Sequence, residues 1–138
     1  MEKVKLSYLK RVLEKSWSKE TSADSKKWSS KNPAWGQCVV TALVVQDFFG
    51  GKLLKGIVRI EDIEYIDNVW SHYWNQLPDG SKIDLTKSQF PKKTIMPQGD
   101  LAYRKYVLSY PNVVRRYEIL KQRVKSFLEN QREKGDKK

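Results

Sequence analysis

The chain has one cysteine and one histidine. A single cysteine excludes an internal disulfide and fits a reducing compartment. One histidine and one cysteine also argue against structural zinc, and no acidic cluster stands at metal-loop spacing. No metal and no cofactor are expected. Long hydrophobic runs are missing as well. The most apolar block, residues 39–45, is interrupted by Thr41 and is far too short to span a bilayer. The opening Met1-Glu2-Lys3-Val4-Lys5-Leu6 carries charge where a secretory leader would be apolar. The expectation is a soluble, cytoplasmic protein with no membrane partner.

Acidic side chains are scarce, 16 against 27 basic, which gives a net charge of +11. Such an excess suggests nucleic acid, so its position along the chain matters. Residues 1–34 hold nine basic and four acidic side chains, residues 35–90 five and seven, and residues 91–138 thirteen and five. The middle third is slightly acidic and the flanks are basic. A protein built to grip phosphates would more naturally carry its charge on the folded centre. Nucleic acid is therefore a weak partner reading, kept as an alternative.

At 138 residues, with five tryptophans and seven tyrosines, the chain suits one domain with one core. That domain is expected over residues 1–128, followed by a polar, disordered basic tail over 129–138. Residues 3–17 read as a helix, with Leu6, Leu9, Leu13 and Trp17 at helical spacing. Residues 18–32 turn polar around Trp28 and read as a loop, with room for one helical turn. A second helix, from about Gly36 or Gln37 to Phe49, is apolar enough to be buried nearly all round and ends at Gly50-Gly51. Residues 52–60 read as a strand, 61–68 as a polar connection or weak strand, 69–77 as a strand and 82–86 as its partner. Residues 101–110 are expected to hold a short helix. Val113, Tyr117, Leu120, Val124 and Phe127 mark a last helix, with Arg115, Arg116, Lys121, Arg123 and Lys125 on its solvated face.

The candidate chemistry lies in the acidic middle. Trp35-Gly36-Gln37-Cys38 puts the only cysteine where the apolar helix starts. There the helix dipole and free backbone N–H groups favour a thiolate. Ser71-His72-Tyr73-Trp74-Asn75 and Ile83-Asp84-Leu85-Thr86 put the histidine and an aspartate on consecutive strands. Between them, Pro78-Asp79-Gly80 suits a type I turn with Gly80 left-handed, a three-residue hairpin loop. That register sets Leu77 opposite Ser81 and Trp74 opposite Asp84, making Asp84 a diagonal neighbour of His72 on one face. A two-residue loop would put Asp84 on the wrong face. Taken singly, Cys38 would be a small core hydrophobe, His72 a core histidine and Asp84 a hairpin residue. In this order they form a nucleophile, a base and an orienter.

Gly36-Gln37-Cys38, His72-x-Trp74 and Asp84-Leu85-Thr86 resemble the nucleophile, histidine and aspartate segments of the transglutaminase-like superfamily. Over its whole length the chain also resembles the small bacterial YunG-like family. The superfamily resemblance implies an α+β, papain-like/transglutaminase-like core. In it a buried nucleophile helix packs on an antiparallel sheet, flanked by N- and C-terminal helices. It implies thiol-dependent acyl transfer, as hydrolase or transferase, on a peptide or small acyl donor. Cys38 is then the nucleophile, His72 the base and then acid, and Asp84 the orienter; Trp35, Gln37, Trp74 and Asn75 are substrate-binding or scaffold residues. The chain departs from the pattern in being much shorter than an animal transglutaminase. Its Gln37 adjoins the cysteine, whereas the oxyanion glutamine of papain-type proteases lies several residues upstream, so that role is not carried over. The competing reading is a catalytically inactive binding module on the same fold.

Overall fold

Leu9, Val12, Leu13 and Ser16 line one side of the first helix, α1 (Leu6–Ser16), and are buried. The computed structural model describes residues 4–59, 69–92 and 94–136. Trp17 ends α1, and its indole Nε1 donates to Thr41 Oγ1 at 2.9 Å, tying the helix to the next one. The polar stretch that follows is an ordered loop. Ser18 and Thr21 form a capping box around a 3₁₀ turn at Lys19–Thr21. Trp28 is half-buried and donates to the Pro33 carbonyl at 2.9 Å.

The second helix, α2 (Cys38–Phe49), has all of residues 39–45 buried. Its all-round apolar composition has a simple cause: the sheet lies on one side and the last helix on another. Gly50, with φ +74°, ends it. Strands β1 (Lys52–Arg59), β2 (Val69–Gln76), β3 (Lys82–Ile83) and β4 (Asp100–Ala102) form an antiparallel sheet in the order β3-β2-β1-β4. In the β1–β2 register Leu54 faces Trp74, Gly56 faces His72 and Val58 faces Trp70. These residues share one sheet face. The connection expected over residues 61–68, and Ile60 before it, lie outside the described residues.

One expectation changes. The return strand was expected over residues 82–86, but the ladder stops at Ile83. Asp84 Oδ1 accepts from the Thr86 N–H at 3.2 Å, an aspartate turn that diverts the chain into a 3₁₀ turn at Lys87–Gln89. Residues 101–110 hold the expected short helix, preceded by a strand that the sequence does not announce. Leu101 and Ala102 pair with Leu54 and Leu53, covering the β1 edge, and only α3 (Arg104–Val107) is helical. The last helix, α4 (Pro111–Asp136), opens on proline and continues past Leu128, where its apolar stripe ends. It packs on α2 and α1 through Tyr117, Leu120 and Val124. Mixed helices and an antiparallel sheet make the protein α+β. No helix among the described residues is long and apolar enough to cross a membrane.

Candidate active site

Gly36 fixes the approach to Cys38. Its φ is +73°, and a Cβ there would stand 2.3 Å from Ser22 Oγ and 2.8 Å from the Ala23 backbone nitrogen. Only glycine meets both the backbone angle and the close contact. The Gly36 carbonyl accepts from Ala23 N–H at 2.8 Å, and its N–H donates to Gln89 Oε1 at 3.1 Å. Gln37 is the N-cap residue of α2, but its side chain makes no cap bond. It is fully buried, with Nε2 donating to the Ser18 carbonyl at 2.9 Å and Oε1 left unpaired. Among the described residues the Cys38 N–H meets no acceptor. The thiol is free and half-buried at the first position of α2.

The hairpin has the three-residue loop. Leu77 N–H donates to the Ser81 carbonyl at 2.8 Å, Gln76 pairs with Lys82, and Asn75 with Ile83. Gly80 has φ +91°. Continuing this register puts Asp84 diagonal to His72, and the side chains meet: His72 Nε2 stands 2.6 Å from Asp84 Oδ2. The imidazole is fully buried. Burial alone pulls its pKa down, but hydrogen bonding to Asp84, then interaction with Cys38, outweigh it and raise the pKa to about 9. No well-formed hydrogen bond joins His72 to Cys38, and Nδ1 is buried without a partner. The Cys38 contact thus falls short of hydrogen-bond geometry, unlike the Asp84 one.

Trp74 stacks on the imidazole, ring centroids 5.5 Å apart, and Phe90 meets its ring edge-on at 5.0 Å. Space for Trp74 comes from Gly56, where a Cβ would meet the indole at 3.0 Å and Pro97 at 2.5 Å. Trp35 is buried against Trp70 and Phe90, its Nε1 held by Asp24 at 3.2 Å. Trp35 and Gln37 therefore brace the loop before Cys38. Asn75 lies on the opposite sheet face from His72 and donates to the Ala42 carbonyl at 3.0 Å, fastening β2 to α2.

Three further residues belong to this neighbourhood. Gln89 bridges the halves of the site, accepting from Gly36 and donating through Nε2 to Thr86 Oγ1 at 3.1 Å; Thr86 in turn bonds Asp84. Phe90 closes the imidazole edge. Arg116, from α4, is 8% exposed. Its pKa is lowered by burial, while the charge of Cys38 acts the other way. Tyr73 also feels Cys38: burial and then that charge raise its pKa. By contrast, an open groove of about 700 Å³ between α1 and α4, lined by Lys15, Ile119, Arg123 and Phe127 among others, contains none of Cys38, His72 and Asp84.

The fold and site define an α+β protein with a cysteine, a histidine and an aspartate gathered where a helix start meets a hairpin. The family model described as "YunG protein" matches residues 5–129, and the chain belongs to the YunG family. A relative from Bacillus subtilis (strain 168), described as "Uncharacterized protein YunG", is 38% identical over 85 residues. That match covers 62% of this chain and 63% of the relative, so the chain spans less than two thirds of the relative's length. No solved structure matches.

Proposed function

We propose that the chain is a thiol-dependent acyl-transfer enzyme with a papain-like arrangement, in which Cys38 is the nucleophile, His72 the acid and base, and Asp84 the orienter. The observation that carries the reading is the imidazole: fully buried, it is bonded to Asp84 at 2.6 Å through Nε2 and acted on by Cys38. A buried histidine serving the core alone has no need of a carboxylate and a cysteine together.

With a pKa of about 9, His72 is an imidazolium at neutral pH. Attack requires the thiolate form of Cys38, which a neighbouring imidazolium favours. The Cys38 sulfur attacks the acyl carbon, and the oxyanion is received by the uncapped N–H groups at the start of α2. Collapse of the intermediate forms a thioester, and the amine or alcohol leaves with the His72 proton. Water or an amine then attacks the thioester, His72 takes its proton, and the thiolate departs. Asp84 keeps the imidazole oriented throughout.

The test is acylation by p-nitrophenyl acetate, followed by nitrophenolate release and by mass spectrometry of the intact chain. One acetyl group on Cys38 is expected, absent in Cys38→Ala and formed at least tenfold more slowly in His72→Ala. The thiol of native protein should also react with iodoacetamide at neutral pH. If Cys38 resists both reagents until the chain is unfolded, it is a core residue and the enzymatic reading fails.

A further inference from the structure

Arg116 stands out among the arginines that α3 and α4 turn inward. Arg104 is satisfied by Asp47 at 2.7 Å, Tyr117 at 2.8 Å and Gln46 at 3.0 Å. Arg123 is satisfied by Glu20 at 2.6 Å, Ser18 at 2.7 Å and the Ser16 carbonyl at 3.0 Å. Arg116 is 8% exposed, yet among the described residues it makes no hydrogen bond and no ion pair. Its Nη1 is buried without a partner. An arginine cannot give up its proton to escape that condition. A buried cation without a counter-charge is costly, and such a group calls for an anion.

The place of Arg116 says where that anion would sit. Helix α4 packs on α2, which begins at Cys38, and Arg116 lies within electrostatic reach of that residue. At that same helix start the Gln37 side chain leaves the first-turn N–H groups uncapped, which also favours negative charge. We propose that Arg116 anchors a carboxylate carried by the acyl donor that Cys38 attacks. This rests on the reading of Cys38 as a nucleophile and adds the substrate's charge to it. A carboxylate is preferred to a phosphate because one guanidinium offers one positive charge and a planar fork that matches two oxygens. The neighbouring imidazolium is already matched by Asp84.

Iodoacetate and iodoacetamide form a matched pair of probes. In each case the Cys38 thiolate forms a C–S bond and iodide leaves, but only the first carries a carboxylate. The quotient of their rates cancels any change in the thiolate fraction, so a merely structural Arg116 would not move it. In the native protein the quotient should stand about tenfold above that of the urea-unfolded chain, the scale of one charge-assisted contact. Arg116→Gln should bring it close to the unfolded value, and Arg116→Lys should keep part of it. Arg115→Gln removes the same net charge from an exposed neighbour and should leave the quotient unchanged. A second measurement needs no variant: propionate, but not propionamide, should slow iodoacetamide alkylation of the native thiol.

A quotient indifferent to Arg116→Gln, or lowered equally by Arg115→Gln, overturns the anchor while leaving the reactive thiol standing. Inorganic phosphate protecting better than propionate overturns the choice of carboxylate. A native thiol inert to both reagents overturns the enzymatic reading, and this inference with it.

Discussion

His72 concentrates opposing influences that can be separated by pH. Its folded-state pKa of about 9 lies above the ordinary 6.5, although burial works against the charge. The imidazolium is therefore better accommodated in the folded chain than in the unfolded one. The stability this contributes is complete below pH 6.5 and is lost as pH rises through about 9. The shift corresponds to about 3 kcal/mol. Urea unfolding of wild type and Asp84→Asn should differ most at pH 6 and converge by pH 9.5, since the asparagine cannot match the imidazolium; a difference independent of pH would remove the charge pairing. Residue by residue, the candidate site was legible because Cys38, His72 and Asp84 are each rare or marked by context: the only cysteine, the only histidine, and an aspartate at a countable distance from a turn. Arg116 was misread as solvated, although a signal was present. Arg116 and Arg123 follow Val113 and Leu120 by three residues, so both share the apolar face of the helix. Gln89 and Phe90 had no such signal, because neither periodicity nor a turn marks residues 87–99.

Turns and glycines decide where these side chains end up. The hairpin register followed from Pro78-Asp79-Gly80 alone, because loop length fixes which residues face each other. The return strand could not be read to its end, since the Asp84 side chain that belongs to the site also breaks the ladder by bonding Thr86. Likewise, residues 100–102 became a strand only because β1 had an edge to cover, a tertiary demand that local propensity does not announce. The two left-handed glycines of the site separate strain from collision. Gly80 has open space around its missing Cβ, so Gly80→Ala should cost only backbone strain, about 1 kcal/mol. At Gly36 the new methyl would meet Ser22 Oγ and the backbone of Ala23, and strain adds to overlap. Gly36→Ala should cost on the order of 3 kcal/mol in urea unfolding and should slow Cys38 acylation, because the loop must shift to admit it. Equal costs at the two positions would mean that the Ser22 contact gives way freely.

Across the whole molecule, the basic excess looks different once its members are placed. Of the five cationic side chains read on the outer face of α4, Arg116 is buried, and Arg123 is committed to Glu20 and to α1's end. Lys121 lies over the Tyr117 ring. Arg115 and Lys125 remain exposed there, together with scattered lysines on other elements such as Lys10, Lys26, Lys31 and Lys92. Scattered exposed cations attract a polyanion through its ion atmosphere, but they supply few simultaneous phosphate contacts, and the number of those contacts sets the salt dependence. Aromatic side chains placed to stack on bases would add affinity that salt does not remove. Here Trp35 packs against Trp70 and Phe90, Trp74 stacks on His72, and of the exposed Tyr103, Tyr106 and Tyr110 the last two bond each other. Fluorescence anisotropy with labelled 20-mers, single- and double-stranded, should therefore show binding at low salt that is gone at physiological ionic strength, where the screening length is about 8 Å. Arg115→Gln with Lys125→Gln should weaken it only modestly, with no preference among sequences. Submicromolar binding that persists at physiological salt and collapses in this double variant would make α4 a nucleic-acid surface. The acidic middle of the chain, with Cys38 in it, would then need a role compatible with that partner.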